Sequence, residues 1–208
     1  MRLHGYSPSG ATWRVRIALA LKGVEAEAVL HDMPPDGPRN PEHVRLNPQG
    51  RMPILEIQDE APLIQSLAII EWLEEMWPSP PLLPPEPLRR AQVRAFTLAI
   101  ACETQPLHAS SVLARLRAAG MNEGQVQGWA RHAVAEGLEA CESLLADSPG
   151  PFCFGPRVSL ADVFLVPQLH AARRFGVQLA FPRLLSAEAA SMTLPAFRDT
   201  LPETPHVA

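Results

Sequence analysis

The residues set apart for chemistry in this sequence are small hydroxyls at the starts of helices. The first lies in Ser9-Gly-Ala-Thr-Trp-Arg-Val-Arg-Ile-Ala-Leu-Ala-Leu-Lys-Gly23. Ser7, Pro8, Ser9 and Gly10 break the chain, and a helical pattern begins behind them. Val15, Ala18, Leu19 and Leu21 recur on one face, with Arg14 and Lys22 expected to reach water. Ser9 or Thr12 can cap the first turn and Gly23 can close the last. Such a helix start carries about half a positive charge and unpaired N–H groups, so it favours an anion. We read Ser9 as the group that holds a sulfur anion there. The seven histidines, by contrast, lack metal-site spacing such as HxxxH and are expected at the surface or in the core.

Two further features belong with this one. Asn47-Pro48-Gln49-Gly50 is a strong turn signal, and Met52-Pro53 then opens a strand on a residue with no N–H for a ladder. Ser66 caps a helix running to Trp77, with Leu67, Ile70 and Leu73 inward and Glu71, Glu74 and Glu75 outward. To hold these segments the chain offers strands over Met1–Tyr6, Ala26–His31, Met52–Ile57 and Ala61–Ile64. Helix Thr12–Lys22 and a helical turn over Glu42–Leu46 lie between them, and the proline-rich stretch Met33–Pro41 reads as a surface loop.

Pro78-Ser-Pro-Pro-Leu-Leu-Pro-Pro-Glu-Pro87 has six prolines in ten residues, which excludes helix and ladder and leaves an extended connector. Beyond it the periodicity is helical: Leu88–Thr104, a break at Pro106, Leu107–Ala119, Asn122–Leu145, Pro182–Ala190 and Leu194–Leu201. Ser159-Leu-Ala-Asp162 opens one more helix, apolar nearly all round, which belongs at the centre of a bundle. The polar tail Pro202–Ala208 reads as frayed. The predicted organisation is a domain over 1–77, a linker over 78–87 and a helical domain over 88–208.

Composition excludes several function classes. A net charge of −4 gives no basic stripe for nucleic acid, and no run of 18 apolar residues exists to span a membrane. The N-terminus lacks the basic-then-apolar layout of a signal peptide. Cys102, Cys141 and Cys153 are odd in number and too far apart for CxxC, and are expected as reduced, buried thiols in a cytoplasmic protein.

The order β-α-β, then β-β-α, a proline linker and a helical domain resembles the cytosolic glutathione transferases. The motifs narrow the likeness to the zeta class, the maleylacetoacetate and maleylpyruvate isomerases. They are the serine-led helix start at Ser9, Asn47-Pro-Gln-Gly50 with Met52-Pro53, and Gln65-Ser-Leu-Ala-Ile-Ile-Glu-Trp-Leu-Glu-Glu75. In the second half Gln105-Pro-Leu107, Ser159-Leu-Ala-Asp162, Leu165-Val-Pro-Gln168 and Arg174-Phe175 match in order. The resemblance implies an α/β thioredoxin-like N-terminal domain (β-α-β-α-β-β-α) followed by an all-α C-terminal domain, and a homodimer. It implies glutathione as cofactor, held by Ser9, Gln49, Arg51, Met52, a cis Pro53, Gln65, Ser66 and His108. Ser9 would stabilise the thiolate, Thr12 would assist it, and Arg174 would meet a substrate carboxylate. The implied reaction is reversible thiolate addition to a cis double bond.

Departures leave room for other activities. Pro8-Ser9-Gly10-Ala11-Thr12 stands where the zeta pattern reads Arg-Ser-Ser-Cys-Ser, and Ser110-Ser111 stands where the maleylpyruvate branch has two arginines. One substrate-binding cation is therefore missing, which weakens isomerase activity on a dicarboxylate but not glutathione binding. A transferase that conjugates or dehalogenates small electrophiles such as α-halo acids, and a non-catalytic binding module, stay open as alternatives.

Overall fold

The computed structural model describes residues 1–31, 40–148 and 150–202. The chain divides into two compact units, one formed by Met1–Pro81 with the segment from Leu194 onward, the other by Leu82–Thr193. The first unit contains β1 (Arg2–Gly5), α1 (Gly10–Lys22), β2 (Glu27–Leu30), α2 (Pro41–Leu46), β3 (Ile54–Glu56), β4 (Leu63–Ile64) and α3 (Ser66–Met76). Its sheet has the order β2-β1-β3-β4, with β1 parallel to β2 and antiparallel to β3, and β3 antiparallel to β4. This is the thioredoxin-like arrangement expected. Most of the expected Met33–Pro41 loop, and the tail after Pro202, lie outside the described residues.

Leu3 and Leu55 on the sheet and Val15, Ile17, Ala18, Leu19, Ile69, Ile70 and Leu73 on α1 and α3 are buried and make the core of this unit. Three charged residues expected in water are buried instead. Arg14 is 1% exposed, and burial lowers its guanidinium to about 9, which still leaves it charged at neutral pH. Lys22 and Glu74 are buried and ion-paired. The Lys22 ammonium also donates to the carbonyls of Trp77 and Pro80, both at 2.7 Å. A buried ammonium survives only if all of its donors are used, and here three acceptors converge on it. The helix α9 (Pro195–Arg198) packs against α1, and Trp13 Nε1 donates to Thr200 Oγ1 at 2.9 Å. Residues from Leu194 on, expected in the helical domain, therefore fold with the first unit.

The second unit is helical: α4 (Pro87–Leu98), α5 (Ser110–Ala118), α6 (Glu123–Leu144), α7 (Leu160–Arg174) and α8 (Pro182–Ser191). The helix expected over Leu88–Thr104 is not uniform. After Leu98 it widens to a π turn over Ala99–Thr104 and then tightens to a 3-10 turn over Gln105–His108. Pro106 has no N–H to return to the preceding turn and its ring crowds that turn, so regular α-helix cannot pass it. Thr104 Oγ1 donates to the Ala99 carbonyl at 2.9 Å, five residues back, which fills the widened turn. A Cβ on Gly137 of α6 would collide with the Thr104 side chain, so the glycine lets the two segments meet. The central helix α7 buries eleven of its fifteen residues, as its all-round apolar pattern requires. Cys141 and Cys153 are buried, but Cys102 is exposed, contrary to expectation. Among the described residues no helix is long and apolar enough to cross a membrane.

Candidate active site

Strand register decides where the motifs of the first unit meet. His4 on β1 faces Ile54 on β3, and Ile54 faces Ile64 on β4. Because β3 runs opposite to both neighbours, one edge of the sheet receives the end of β1, the start of β3 and the end of β4. Tyr6–Ser9 continue from the first, Met52-Pro53 precede the second, and Gln65-Ser66 continue from the third. Residues more than fifty apart in sequence thus share one edge, the carboxyl end of β1 and β4, where α/β sheets bind ligands.

Ser9 caps α1. It is in extended conformation, and its Oγ accepts the Thr12 N–H at 3.2 Å. A hydroxyl has one hydrogen and two lone pairs, so the cap uses a lone pair and leaves the hydrogen to be donated elsewhere. Thr12 is differently placed. It is 2% exposed, its Oγ1 accepts the Tyr6 N–H at 3.3 Å, and its methyl lies where a Cβ on Gly5 would collide. Gly5 allows α1 to start this close to the strand.

The second part is the turn before β3. Asn47 caps α2 through its N–H to the His43 carbonyl at 2.8 Å. The same residue organises the turn itself. Its side chain donates to the Arg51 carbonyl at 2.7 Å and accepts the Gln49 N–H at 2.9 Å, while its own carbonyl accepts from Gly50 at 2.7 Å. Gly50 takes φ 61, which a glycine adopts without strain. The Met52-Pro53 bond is cis, as the resemblance implies, with Pro53 buried and Met52 just outside the ladder. Arg51 and Gln49 are exposed beside it.

The third part is the start of α3. Gln65 has φ 70, a value that costs a non-glycine residue about 1–3 kcal/mol. That conformation sends its Nε2 to Gln49 Oε1 at 2.6 Å, while Ser66 behind it is buried. The turn and the helix start are thereby joined through their side chains.

In the second unit, His108 at the end of the 3-10 turn lies 3.1 Å from the amide nitrogen of Gln168, a residue only 1% exposed on α7. The His108 ring meets the Phe175 ring at 5.3 Å between centroids, and the exposed Arg174 holds its guanidinium 5.7 Å from the centroid of the Phe175 ring. Sequence reasoning named His108 and Arg174 but missed Gln168 and Asn47. The signal for Gln168 was an amide inside the apolar run Val163–Leu169, and for Asn47 its place before Pro48-Gln49-Gly50.

The sequence model described as glutathione S-transferase, N-terminal domain, matches residues 8–76, and that described as glutathione S-transferase, C-terminal domain, matches 114–189. The chain belongs to the glutathione S-transferase family. Within that family it is 47% identical over 205 residues to maleylacetoacetate isomerase of Pseudomonas aeruginosa, covering 97% of this chain and 96% of the relative. A holo structure of maleylpyruvate isomerase, a bacterial zeta-class transferase, superposes with a TM-score of 0.94 at 38% identity over 100% of both chains. Maleylacetoacetate isomerase of Anaeromyxobacter dehalogenans, solved with glutathione in its active site, gives a TM-score of 0.88 at 38% identity, covering 100% of this chain and 97% of that one. These transferase-family likenesses span both units, and the zeta-class resemblance read from the motifs holds over the whole chain.

Proposed function

We propose that this chain is a glutathione-dependent cis–trans isomerase of maleylacetoacetate or maleylpyruvate. The observation that carries the reading is the single sheet edge on which Ser9, Met52-Pro53 and Gln65-Ser66 meet, in a chain whose relatives bear those names. Glutathione is the cofactor. Its cysteinyl backbone pairs with Met52, its γ-glutamyl carboxylate takes Gln65, Ser66 and the N–H groups of α3, and Gln49 and Arg51 add contacts. The Ser9 hydroxyl donates to the sulfur, and the α1 N-terminus adds its positive end, so a thiol that ordinarily titrates near ~8.5 ionises closer to neutrality.

The chemistry balances without an outside reagent. The thiolate lone pair forms a carbon–sulfur bond to the cis alkene, and the π pair moves onto the conjugated carbonyl as an enolate. The former double bond, now single, rotates. The enolate pair returns, the carbon–sulfur bond breaks, and thiolate leaves with the trans product, so glutathione is unchanged. The family resemblance assigns Arg174 to a substrate carboxylate. Thr12, named for the sulfur on sequence grounds, is better suited by its burial and its bond to Tyr6 to holding the turn, which leaves Ser9 as the donor.

Pro8 and Ser110-Ser111, in place of arginines, favour a second reading: a transferase that dehalogenates or conjugates small electrophiles such as α-halo acids. One experiment separates them. Purified protein with glutathione is given maleylacetoacetate, maleylpyruvate and an α-halo acid in turn. Loss of a cis isomer with glutathione conserved supports the first reading, and halide release without isomerisation replaces it by the second. The same reading makes the protein a cytoplasmic homodimer, which gel filtration and cell fractionation test.

A further inference from the structure

Four side chains far apart in sequence form one hydrogen-bonded series in the first unit. Glu56 Oε2 lies 2.6 Å from His4 Nε2, His4 Nδ1 lies 2.9 Å from His31 Nε2, and His31 Nδ1 lies 2.8 Å from His43 Nε2. His4 and His43 are buried. The rings are linked end to end, so their nitrogens do not converge on one point as ion ligands would.

The carboxylate fixes the direction of the whole series. Ionised Glu56 only accepts, so His4 Nε2 carries the proton between them. In neutral His4, Nδ1 then accepts, which obliges His31 to donate from Nε2 and, by the same step, His43 to donate from Nε2. Each of the three contacts holds one hydrogen. One additional proton fits on His43 Nδ1, at the far end, without disturbing any of them. A second has to go onto His4 or His31, where it sets N–H against N–H across a contact of 2.9 or 2.8 Å. That contact breaks.

What the series holds is the glutathione turn. His4 is on β1, Glu56 on β3, His31 directly after β2 and His43 on α2, so the three rings fasten α2 to the sheet. The His43 carbonyl accepts the Asn47 N–H, and Asn47 in turn holds Gln49, Gly50 and Arg51. We propose that Glu56, His4, His31 and His43 form an acid-released latch that keeps α2 and the Asn47–Arg51 turn in the glutathione-binding arrangement until a second proton enters the series. The latch rests on the glutathione reading above only for its consequence, not for its mechanics.

The surrounding charges agree in sign. Burial, then His43 and His4, hold the His31 pKa below its ordinary value, while Glu42 on α2 pulls it back up. The unlatched chain therefore binds more protons below about pH 6.5, and the closed form loses stability as pH falls from there. Glu56 is held below the ordinary carboxylate value by its bond to His4, with Arg2, at 3.1 Å, and Arg45 adding to it. Its contribution is present above the ordinary carboxylate range and is lost as pH falls through the lowered value. Both groups favour the closed form at neutral pH and opening in acid.

S-methylglutathione, which has no thiol to titrate, is the probe. Calorimetry from pH 7.5 to 4.5 is expected to show at least a tenfold loss of affinity in the natural chain. The double variant His4→Gln with His31→Gln, whose amides each supply one donor and one acceptor and take up no proton, should bind within about twofold of the natural chain at pH 7.5 and lose less than threefold on acidification. An affinity that is flat in the natural chain, or that falls equally in the variant, overturns the latch. Failure of S-methylglutathione to bind at pH 7.5 and millimolar concentration overturns the glutathione reading instead. Imidazole nitrogen NMR then decides the latch alone. His4 and His31 should be Nε2–H tautomers at pH 7.5, and entry of the second proton into the series should shift the Val44–Asn47 amides; entry that leaves those amides unmoved refutes the latch.

Discussion

Helices α1 and α7 both begin on a serine, and the two starts are completed in opposite ways. At α7 the polar groups satisfy one another inside the protein: Ser159 N–H and Oγ–H both donate to Asp162 Oδ2 at 2.8 Å, and Cys153 N–H donates to Oδ1 at 2.8 Å. Asp162 is fully buried, and burial pushes its carboxyl up against the pull of those three donors. At α1 there is no such acid. Ser9 gives a lone pair to the Thr12 N–H and remains partly exposed, with its hydrogen still to place. A helix start that brings its own anion is a structural joint, whereas one that lacks it at a sheet edge is a place for an anion from outside.

Each start can be altered to test the contrast. Asp162→Ala leaves three buried donors without their acceptor, so it should cost about 3 kcal/mol or more in urea unfolding, with glutathione affinity of the folded fraction unchanged. If affinity falls with stability, the joint is not separate from the site. Ser9→Ala should lower kcat/KM about a hundredfold, or ~2.7 kcal/mol, by removing the donor to the thiolate. Its effect on glutathione affinity should stay within about threefold, and the lost cap should cost only about 1 kcal/mol of stability. Equal losses in rate and affinity would make Ser9 a binding residue instead. Gln65→Gly relieves the positive φ at the start of α3 and removes the bond to Gln49. We expect glutathione binding to weaken about tenfold, or ~1.4 kcal/mol, while the melting temperature stays level or rises. Smallest of all, Gln168→Leu removes one buried partner of the His108 ring, and a loss of about 1 kcal/mol in urea unfolding, with glutathione affinity kept, is the outcome to check.

What the sequence disclosed was the part written in local chemistry. Prolines marked the connector, all-round apolarity marked α7 as central, and hydroxyl, proline and amide motifs marked the sheet edge. Periodicity alone misjudged Arg14, Lys22 and Glu74, because it assigns charges to water and cannot see that Glu74 and two carbonyls will converge on Lys22 from residues some fifty positions away. The histidine series escaped for the same reason: positions 4, 31, 43 and 56 have no common spacing, and only the strand register and α2 bring them into line. Thr12 shows the reverse error, a correct residue type in the right motif whose side chain turns inward against Gly5.

The widened turn at Ala99–Thr104 has one more consequence. It takes up the phase difference between α4 and everything downstream, so helical numbering on its two sides does not share a register. Deleting a single residue there should let regular α-helix run on toward Pro106, and each residue removed rotates the side chains beyond it by about 100°. His108 would then swing away from Gln168 although neither residue had been touched.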